Sequence, residues 1–296
     1  LFADIMTPLL AVGVGLDLVE HIGPVIHHPI CEPRDLAQLR PLEPEQDIPH
    51  VIASIQTIKR ELNTATALIG FAGAPFTLAS YLIEGKGSRT FTKTKALMYR
   101  APDLWHSLME RLSAITATYL RAQIDAGADA VQIFDSWVGC LSPADYATYV
   151  QPYNRRIIRT LREWDAPVIY FGTNTATLLP IIRKDGASVI GVDWHIALDN
   201  AWKAIGVKTA IQGNLDPAVL LGTWEVVEQQ ARDILQRAGG RPGHIFNLGH
   251  GILPETTLDN LMRLVEFVQN YTELQDTKDT KTPRKTRLHP LTPSPF

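Results

Sequence analysis

The stretch GADAVQIFDSW (residues 127–137) decides the interpretation of the fold. It contains a short, nearly unbroken apolar run at Ala130–Phe134, which is typical of a parallel strand buried on both faces. One helical pattern precedes it at Pro102–Ala126, and another follows at Pro143–Trp164, where a Ser-Pro pair marks the N-cap and the first helical position. This order of helix, strand and helix predicts one repeat of a parallel α/β sheet.

The same alternation extends outward from this stretch in both directions. Further helical patterns occur at Pro217–Ala238 and Glu255–Asn270. Strict alternation predicts a parallel sheet, either open and doubly wound or closed as a barrel. No G-x-G-x-x-G follows an early strand, which disfavours the dinucleotide-binding open sheet. The predicted strands are Leu1–Ile5, Ala67–Phe71, Ala130–Phe134, Pro167–Phe171, Val189–Val192, Thr209–Gln212 and His244–Asn247.

The first of these runs is short, and Leu1 stands where a strand is already under way. We therefore expect a (β/α)₈ TIM barrel that lacks its first βα unit in the sequence given; an edge strand that opens a complete domain is the alternative. The barrel domain is predicted to cover residues 1–271. Residues 272–296 are rich in Thr, Lys, Asp and Pro, and we expect a disordered polar tail.

Composition excludes several classes of protein. The chain has 296 residues, 45% of them hydrophobic, and a formal net charge of −3, which is typical of a globular domain and argues against a general nucleic-acid binder. No apolar run reaches the ~20 residues of a membrane span. Cys31 and Cys140 are the two cysteines of the sequence and cannot build a disulfide framework, which points to a reducing compartment.

In a parallel barrel, function collects where the strands end, and polar residues beside glycine follow every predicted strand. Asp4 could act in a pocket or cap a helix, and Tyr81 could act there or lie in the core. Asp135 and Ser136 could serve a site or cap the following helix. A core histidine would not need flanking glycines, so the Gly-His-Gly setting of His250 favours a pocket.

Two further carboxylates follow predicted strands. Asp216 precedes a proline and is interpreted as an N-cap. Asp193 and His195 offer a carboxylate and an imidazole, but neighbouring residues of a strand point to opposite faces, so we do not predict a pair. The sequence contains no H-E-x-x-H, C-x-x-C, P-loop or G-x-S-x-G motif, and no metal site is predicted.

The segments at these strand ends resemble, in order, those of the uroporphyrinogen decarboxylase family. The resemblance covers Leu1 to about Tyr271, and the set of motifs is far more specific than any one of them. The matching segments are LFADI (1–5), GFAGAPFT (70–77) with Tyr81 and Glu84-Gly85, QIFDS (132–136), GVDW (191–194), QGNLDP (212–217) and NLGHG (247–251).

This resemblance implies a (β/α)₈ barrel that works as a homodimer, without metal or organic cofactor. It implies removal of the four acetate carboxyl groups of uroporphyrinogen III, giving coproporphyrinogen III and CO₂ in tetrapyrrole (haem or chlorophyll) synthesis. By motif, Asp4 would accept hydrogen bonds from pyrrole N–H groups, and Tyr81 would be a catalytic residue of the cleft, near the reacting side chain or its carboxylate. Ser136 would lie in the cleft and His250 would contact a substrate carboxylate. The implied location is the cytoplasm, with the plastid as alternative.

One departure concerns the cations that an eight-carboxylate substrate requires. The family's arginine-rich motif is not in this sequence and would lie before Leu1. Lys86, Arg89, Lys93 and Lys95 could form a positive rim or a solvated face.

Two competing interpretations share the barrel. A corrinoid-dependent methyltransferase would hold zinc through a His-x-Cys pair, which this sequence lacks. An inactive homologue would keep the barrel without the reaction.

Overall fold

The computed structural model describes residues 4–20, 23–63, 65–206 and 208–279, with side chains as far as Tyr271. The strands are β1 (Leu16–Val19), β2 (Gly23–Ile26), β3 (Ile69–Gly73), β4 (Ala130–Asp135), β5 (Val168–Gly172), β6 (Val189–Gly191), β7 (Ala210–Gln212) and β8 (His244–Ile245). The helices are α1 (Thr7–Ala11), α2 (Pro44–Asp47), α3 (Pro49–Glu61), α4 (Pro75–Glu84), α5 (Thr92–Arg100), α6 (Pro102–Asp125), α7 (Pro143–Asp145), α8 (Gln151–Leu161), α9 (Leu179–Ile182), α10 (Leu198–Ile205), α11 (Trp224–Ala238) and α12 (Leu258–Asp279).

Strands β3 to β8 form one parallel sheet in which each strand pairs with the next strand of the sequence. A doubly wound sheet would reverse its strand order at a switch point, and this sheet does not. A hydrogen bond between two buried side chains, Gln132 on β4 and Gln212 on β7, shows that the sheet is curved. Gln212 Nε2 donates to Gln132 Oε1 at 3.3 Å although two strands lie between them in the sheet. The sheet therefore curls around a shared interior, as in a barrel, and the predicted α/β barrel class is confirmed.

The predicted first strand, Leu1–Ile5, lies largely outside the described residues. Residues 1–3 lie outside the described residues, and Asp4 and Ile5 enter a turn instead. The Asp4 carbonyl accepts from the Thr7 amide at 3.0 Å, and Asp4 Oδ1 accepts from the Met6 amide at 2.8 Å. These bonds bend the chain toward α1. That a first βα unit is missing from the sequence given stays a prediction.

The six remaining predicted strands all occur, with ends that differ by a few residues. β3 begins at Ile69 rather than Ala67, because the amide of Leu68 donates to the side chain of Asp129 at 2.8 Å. Sequence analysis missed the antiparallel hairpin of β1 and β2, whose short strands show no clear alternation.

Two predicted helices are interrupted. The segment predicted at Pro143–Trp164 contains α7, a π-helical stretch at Tyr146–Val150, α8 and a final 3₁₀ turn. Pro152 opens α8 and has no N–H to give to the preceding turn, which explains the break. The segment predicted at Pro217–Ala238 is a 3₁₀ helix followed by α11; the Asp216 side chain caps the former through the Ala218 amide at 2.9 Å, as predicted.

Helix α12 begins three residues later than predicted and continues to Asp279, past the predicted domain boundary at residue 271. The backbone is helical as far as residue 279, residues 280–296 lie outside the described part, and the disordered tail stays a prediction. No helix within the described residues is long and apolar enough to cross a membrane.

The core lies between the curled sheet and the helices around it. Every residue of β5 and β6 is buried, which explains their continuous apolar sequences. Trp105, Trp202 and Phe76 are among the largest fully buried side chains and hold helices against the sheet. This packing fixes the strand ends, where the candidate site lies.

Candidate active site at the carboxyl ends of the strands

A cavity of about 410 Å³ opens at the carboxyl ends of β3, β4 and β5 and beside the loop after β8. Its polar lining comes from Gln132, Ser136, Asn247 and His250, and its apolar lining is largely phenylalanine. Two predicted site residues, Ser136 and His250, thus share one cavity although 114 positions separate them in the sequence.

Three phenylalanines form a continuous aromatic wall along this cavity. Phe71 and Phe134 meet edge to face at 5.7 Å between ring centroids, and Phe134 meets Phe171 in the same way at 5.9 Å. They come from β3, β4 and β5. Such a wall suits a flat, aromatic ligand with polar groups at its edge. Sequence analysis missed it, although a phenylalanine near the end of three successive predicted strands was the available signal.

Asp4 and Tyr81 form a second part of the same edge. Burial raises the pKa of Tyr81 above its ordinary value, a hydrogen bond with the Trp137 side chain opposes this, and the negative charge of Asp4 raises it further. The Tyr81 and Trp137 rings pack edge to face at 6.1 Å. Neither Asp4 nor Tyr81 lines the 410 Å³ cavity, but Ile5, the residue after Asp4, does.

The side chain of Asp4 also serves its own turn, since Oδ1 accepts from the Met6 amide. Asp4 is half-buried, and the second oxygen of its carboxylate has no hydrogen-bond partner among the described residues. One oxygen therefore fixes the carboxylate within the turn. The N-cap of α1 is Met6, which has no side-chain cap, so Asp4 holds the turn before the helix rather than capping it, and its pocket role stays a prediction.

Asp135 does not cap the following helix, although capping is one of its two interpretations from the sequence. It is fully buried, and its carboxyl group accepts from Thr77 Oγ1 at 2.9 Å, from the Tyr170 hydroxyl at 2.7 Å and from Asn154 Nδ2 at 3.2 Å. Burial raises the pKa of Asp135 to about 6, against the opposing effect of these hydrogen bonds. Ser136 likewise makes no side-chain cap of the next helical turn.

The network around Asp135 continues to a second buried carboxyl group. Asn154 Nδ2 lies 3.5 Å from the Tyr146 hydroxyl, which donates to Asp185 Oδ2 at 2.8 Å. Gln151 Nε2 donates to the other oxygen of Asp185 at 2.7 Å. Burial raises the pKa of Asp185 to about 6 as well. The network ties Asp135 at the end of β4 to Tyr170 of β5 and to Asn154 of α8.

Asp193 and His195 form a pair that sequence analysis did not predict. β6 ends at Gly191, so both residues lie in a loop, where alternation along a strand no longer applies. His195 Nδ1 lies 2.8 Å from Asp193 Oδ2, and the Asp193 carboxylate is 1% exposed. The same oxygen accepts from the Asn174 amide at 2.6 Å.

The predicted positive rim is divided. Lys86, Arg89 and Lys93 are exposed, whereas Lys95 is half-buried and donates to the Cys140 carbonyl at 2.6 Å. Within the described ranges, no group of three His, Cys, Asp or Glu side chains is arranged to hold a metal ion.

The sequential parallel sheet, its curled interior and the cavity at its carboxyl edge define an α/β-barrel protein with an active-site-like pocket. A model of the family "Uroporphyrinogen decarboxylase (URO-D)" matches residues 1–271. The chain belongs to this family.

Similar proteins agree with this membership. A uroporphyrinogen decarboxylase from Chloroflexus aurantiacus is 54% identical over 275 residues, which cover 92% of this chain and 77% of that protein. One from Thermus thermophilus is 53% identical over 269 residues, covering 91% and 78%. One from Carboxydothermus hydrogenoformans is 47% identical over 274 residues, covering 93% and 78%.

Solved structures show the fold. A methyltransferase from Methanosarcina mazei superposes with a TM-score of 0.74 at 19% identity, over 92% of this chain and 80% of that one. A B12-independent methionine synthase from Shewanella sp. W3-18-1 superposes with a TM-score of 0.56 at 12% identity, over 88% and 76%. At these identities the likeness concerns the fold alone, and the methyltransferase interpretation is not favoured.

Proposed function

We propose that this protein removes the four acetate carboxyl groups of uroporphyrinogen III, giving coproporphyrinogen III and CO₂ in tetrapyrrole biosynthesis. The observation that carries the proposal is 54% identity to a uroporphyrinogen decarboxylase over 92% of the chain. The aromatic wall of Phe71, Phe134 and Phe171 supports it, because uroporphyrinogen offers the aromatic faces of four separate pyrrole rings and carries carboxylates at its edge.

The chemistry requires a place for the electrons of the broken C–C bond. Protonation of a pyrrole carbon makes that ring cationic, so the electron pair flows into it as CO₂ leaves the acetate arm. A second proton converts the resulting methylene carbon to a methyl group, and the ring proton is then released. Each cycle consumes one proton and forms one CO₂. Because the substrate is its own electron sink, the reaction requires no metal or organic cofactor.

In this proposal Asp4 is a catalytic residue that accepts hydrogen bonds from pyrrole N–H groups. Its carboxylate is held on one oxygen by the Met6 amide at 2.8 Å and so is oriented before substrate arrives. A fixed negative charge stabilises the positive charge that develops in the ring. Tyr81, whose pKa is raised in part by the negative charge of Asp4, is the second catalytic residue.

Ser136 and His250 are the proposed substrate-binding residues of the cavity wall. Ser136 follows the buried Asp135, whose hydrogen bonds hold the end of β4 in place. His250 is exposed on the loop after β8, where its imidazole can meet a carboxylate at the edge of the macrocycle. Ser136 and His250 would each contact a polar group of the substrate from the wall of the same cavity.

We further infer a homodimer in the cytoplasm, with a plastid location as the alternative. Both inferences rest on the family. Sedimentation equilibrium tests the first: a homodimer has twice the 32.8 kDa of this chain, and a monomer at all concentrations would contradict it.

The proposed activity is tested by incubating the purified protein with uroporphyrinogen III under anaerobic conditions. The products are oxidised to porphyrins and separated by their number of carboxylates. We expect the eight-carboxylate substrate to disappear and the four-carboxylate product to accumulate, with one CO₂ released per carboxyl group lost. A folded protein that leaves the substrate unchanged would refute the proposal.

A further inference from the structure

The loop after β6 places a histidine on the same edge of the barrel as the candidate active site. The backbone of this loop lies against Gly249, where a Cβ would stand 2.8 Å from the Trp194 amide nitrogen and 3.1 Å from Asp193 Cα. Leu248 and His250, on either side of Gly249, line the cavity. The loop that carries His195 is therefore in direct contact with the wall of the cavity.

The orientation of His195 is fixed on one side by a buried carboxylate. Asp193 Oδ2 lies 2.8 Å from His195 Nδ1, and Asp193 Oδ1 lies 3.3 Å from the His195 amide. Asp193 is itself held by the Asn174 amide, which donates to it at 2.6 Å. With Nδ1 engaged in this way, Nε2 on the far side of the ring points away from Asp193.

The imidazole ring of His195 also packs against a neighbouring aromatic ring. The Trp194 indole and the His195 imidazole lie 4.7 Å apart between centroids, tilted by 31°. The His195 side chain nevertheless remains 48% exposed. It is thus a pre-oriented, half-exposed side chain rather than a histidine satisfied within the core.

We propose that His195 is a further substrate-binding residue, whose Nε2 contacts a carboxylate of the substrate, and that Asp193 is its positioning residue. A protonated imidazole donates at both nitrogens, so it can bind Asp193 and a ligand carboxylate at the same time. A polyanionic substrate needs such partners at the rim of its pocket. This inference rests on the proposed function, because it names a contact for that substrate.

The test compares His195→Gln with wild type and with His50→Gln, a control at an exposed histidine at the start of α3. We expect His195→Gln to raise KM for uroporphyrinogen about 10-fold or more, since a charge-assisted hydrogen bond is lost, with kcat changed less than threefold. Partly decarboxylated products should also accumulate, because weaker binding releases them between cycles. His50→Gln should match wild type in all three measurements.

Asp193→Asn tests the positioning role. It should raise KM in the same direction, and adding it to His195→Gln should raise KM no further, because Asp193 acts through the histidine. Thermal unfolding of His195→Gln should match wild type, which separates loss of a contact from loss of structure and keeps the test valid if Asp193→Asn folds poorly.

Two results would overturn the inference. One is an unchanged KM and product distribution in His195→Gln, and the other is a fall in kcat alone. Inactive but folded wild-type protein is a different result, because it refutes the proposed function itself. Measuring wild type and variant side by side therefore separates the two failures.

Discussion

At the scale of single residues, the candidate site depends on side chains whose orientation is set before any ligand binds. Asp4 is fixed through one oxygen by the Met6 amide, and His195 is fixed through Nδ1 by Asp193. In both cases a local hydrogen bond uses one polar atom, and our proposals assign the other polar atom to the ligand. Preorganisation of this kind lowers the cost of binding and of charge stabilisation.

We expect Asp4→Asn to lower the rate of decarboxylation by about 10²–10³, the typical cost of removing one preorganised electrostatic contact. The amide keeps the size of the side chain and can still accept from the Met6 amide, so the fold should be retained. The rate is measured anaerobically as coproporphyrinogen formed per enzyme. Asp103→Asn, at an exposed position at the start of α6, is the matched control and should leave the rate unchanged. Near-normal turnover by folded Asp4→Asn would rule out its catalytic role.

At the scale of elements, buried polar contacts hold the strand ends that carry the site. Asp135 joins β4 to Thr77 of α4, to Tyr170 of β5 and to Asn154 of α8. The loop after β8 is held differently, by close packing of Gly249 against the loop after β6. Each arrangement gives a separate prediction.

The buried carboxyl of Asp135 predicts a pH-dependent stability. Its pKa is about 6 in the folded protein against 3.8 in a model peptide, so between these values the folded state holds a proton that the unfolded state has released. Its contribution is complete below the unfolded value and is lost as the pH rises through the folded value. Two pKa units correspond to about 3 kcal/mol. The free energy of unfolding should therefore fall from about pH 4 to about pH 6.

Urea denaturation across this pH range measures the effect. Asp135→Asn should flatten the slope in part, because Asp185 also has a raised pKa and titrates over the same window. Asp103→Asn, which removes an exposed carboxylate, should keep the wild-type slope. An unchanged slope in Asp135→Asn would show that this carboxyl is ionised in the folded protein.

The loop after β8 contains a matched pair of glycines around His250. A Cβ at Gly249 would lie 2.8 Å from the Trp194 amide nitrogen, whereas a Cβ at Gly251 would meet nothing within 4 Å. Gly249→Ala should cost about 1–3 kcal/mol of stability, the usual range for overpacking, and should lower activity by displacing His250. Gly251→Ala should leave stability close to wild type. Denaturant unfolding measures both, and equal effects would contradict the role of close packing.

At the scale of the whole molecule, the curl of the sheet brings distant strands to one cavity. The bond between Gln212 and Gln132 joins β7 to β4 through the interior, while the cavity collects residues from β3, β4, β5 and the loop after β8. The site is thus a product of the closed arrangement and of no single segment. The reaction proposed for it needs a shaped, polar-edged pocket and protons.

We expect decarboxylation to survive exhaustive treatment with EDTA followed by gel filtration, because the substrate provides its own electron sink. Turnover before and after treatment is measured in the same anaerobic assay. A protein of known zinc dependence, treated in parallel, shows that chelation was effective. Loss of turnover that zinc restores would contradict the proposed chemistry and would support a metal-dependent one.

Much of this architecture could be predicted from the sequence because it depends on patterns of neighbouring residues. The apolar runs at 130–134 and 189–192 predicted buried strands within a residue of their observed ends, and the N-cap at Asp216 was predicted from its place before a proline. Glycine beside polar residues at the strand ends pointed to the edge that bears the cavity. The family motifs contain the four predicted site residues, Asp4, Tyr81, Ser136 and His250, and the roles of these residues stay predictions.

What the tertiary structure alone decided depends on residues far apart in the chain. Phe71, Phe134 and Phe171 each end a predicted strand, but only the folded sheet shows that their rings form one wall. Likewise, only the fold shows that Asp135 is buried between two helices and a strand rather than capping a turn. The Asp193–His195 pair was missed because β6 stops at Gly191, and the end of a strand depends on its neighbours in the sheet. Sequence fixes which side chains can pair, through chemistry and spacing. Only packing fixes which of them meet, because burial and strand closure are properties of the whole fold.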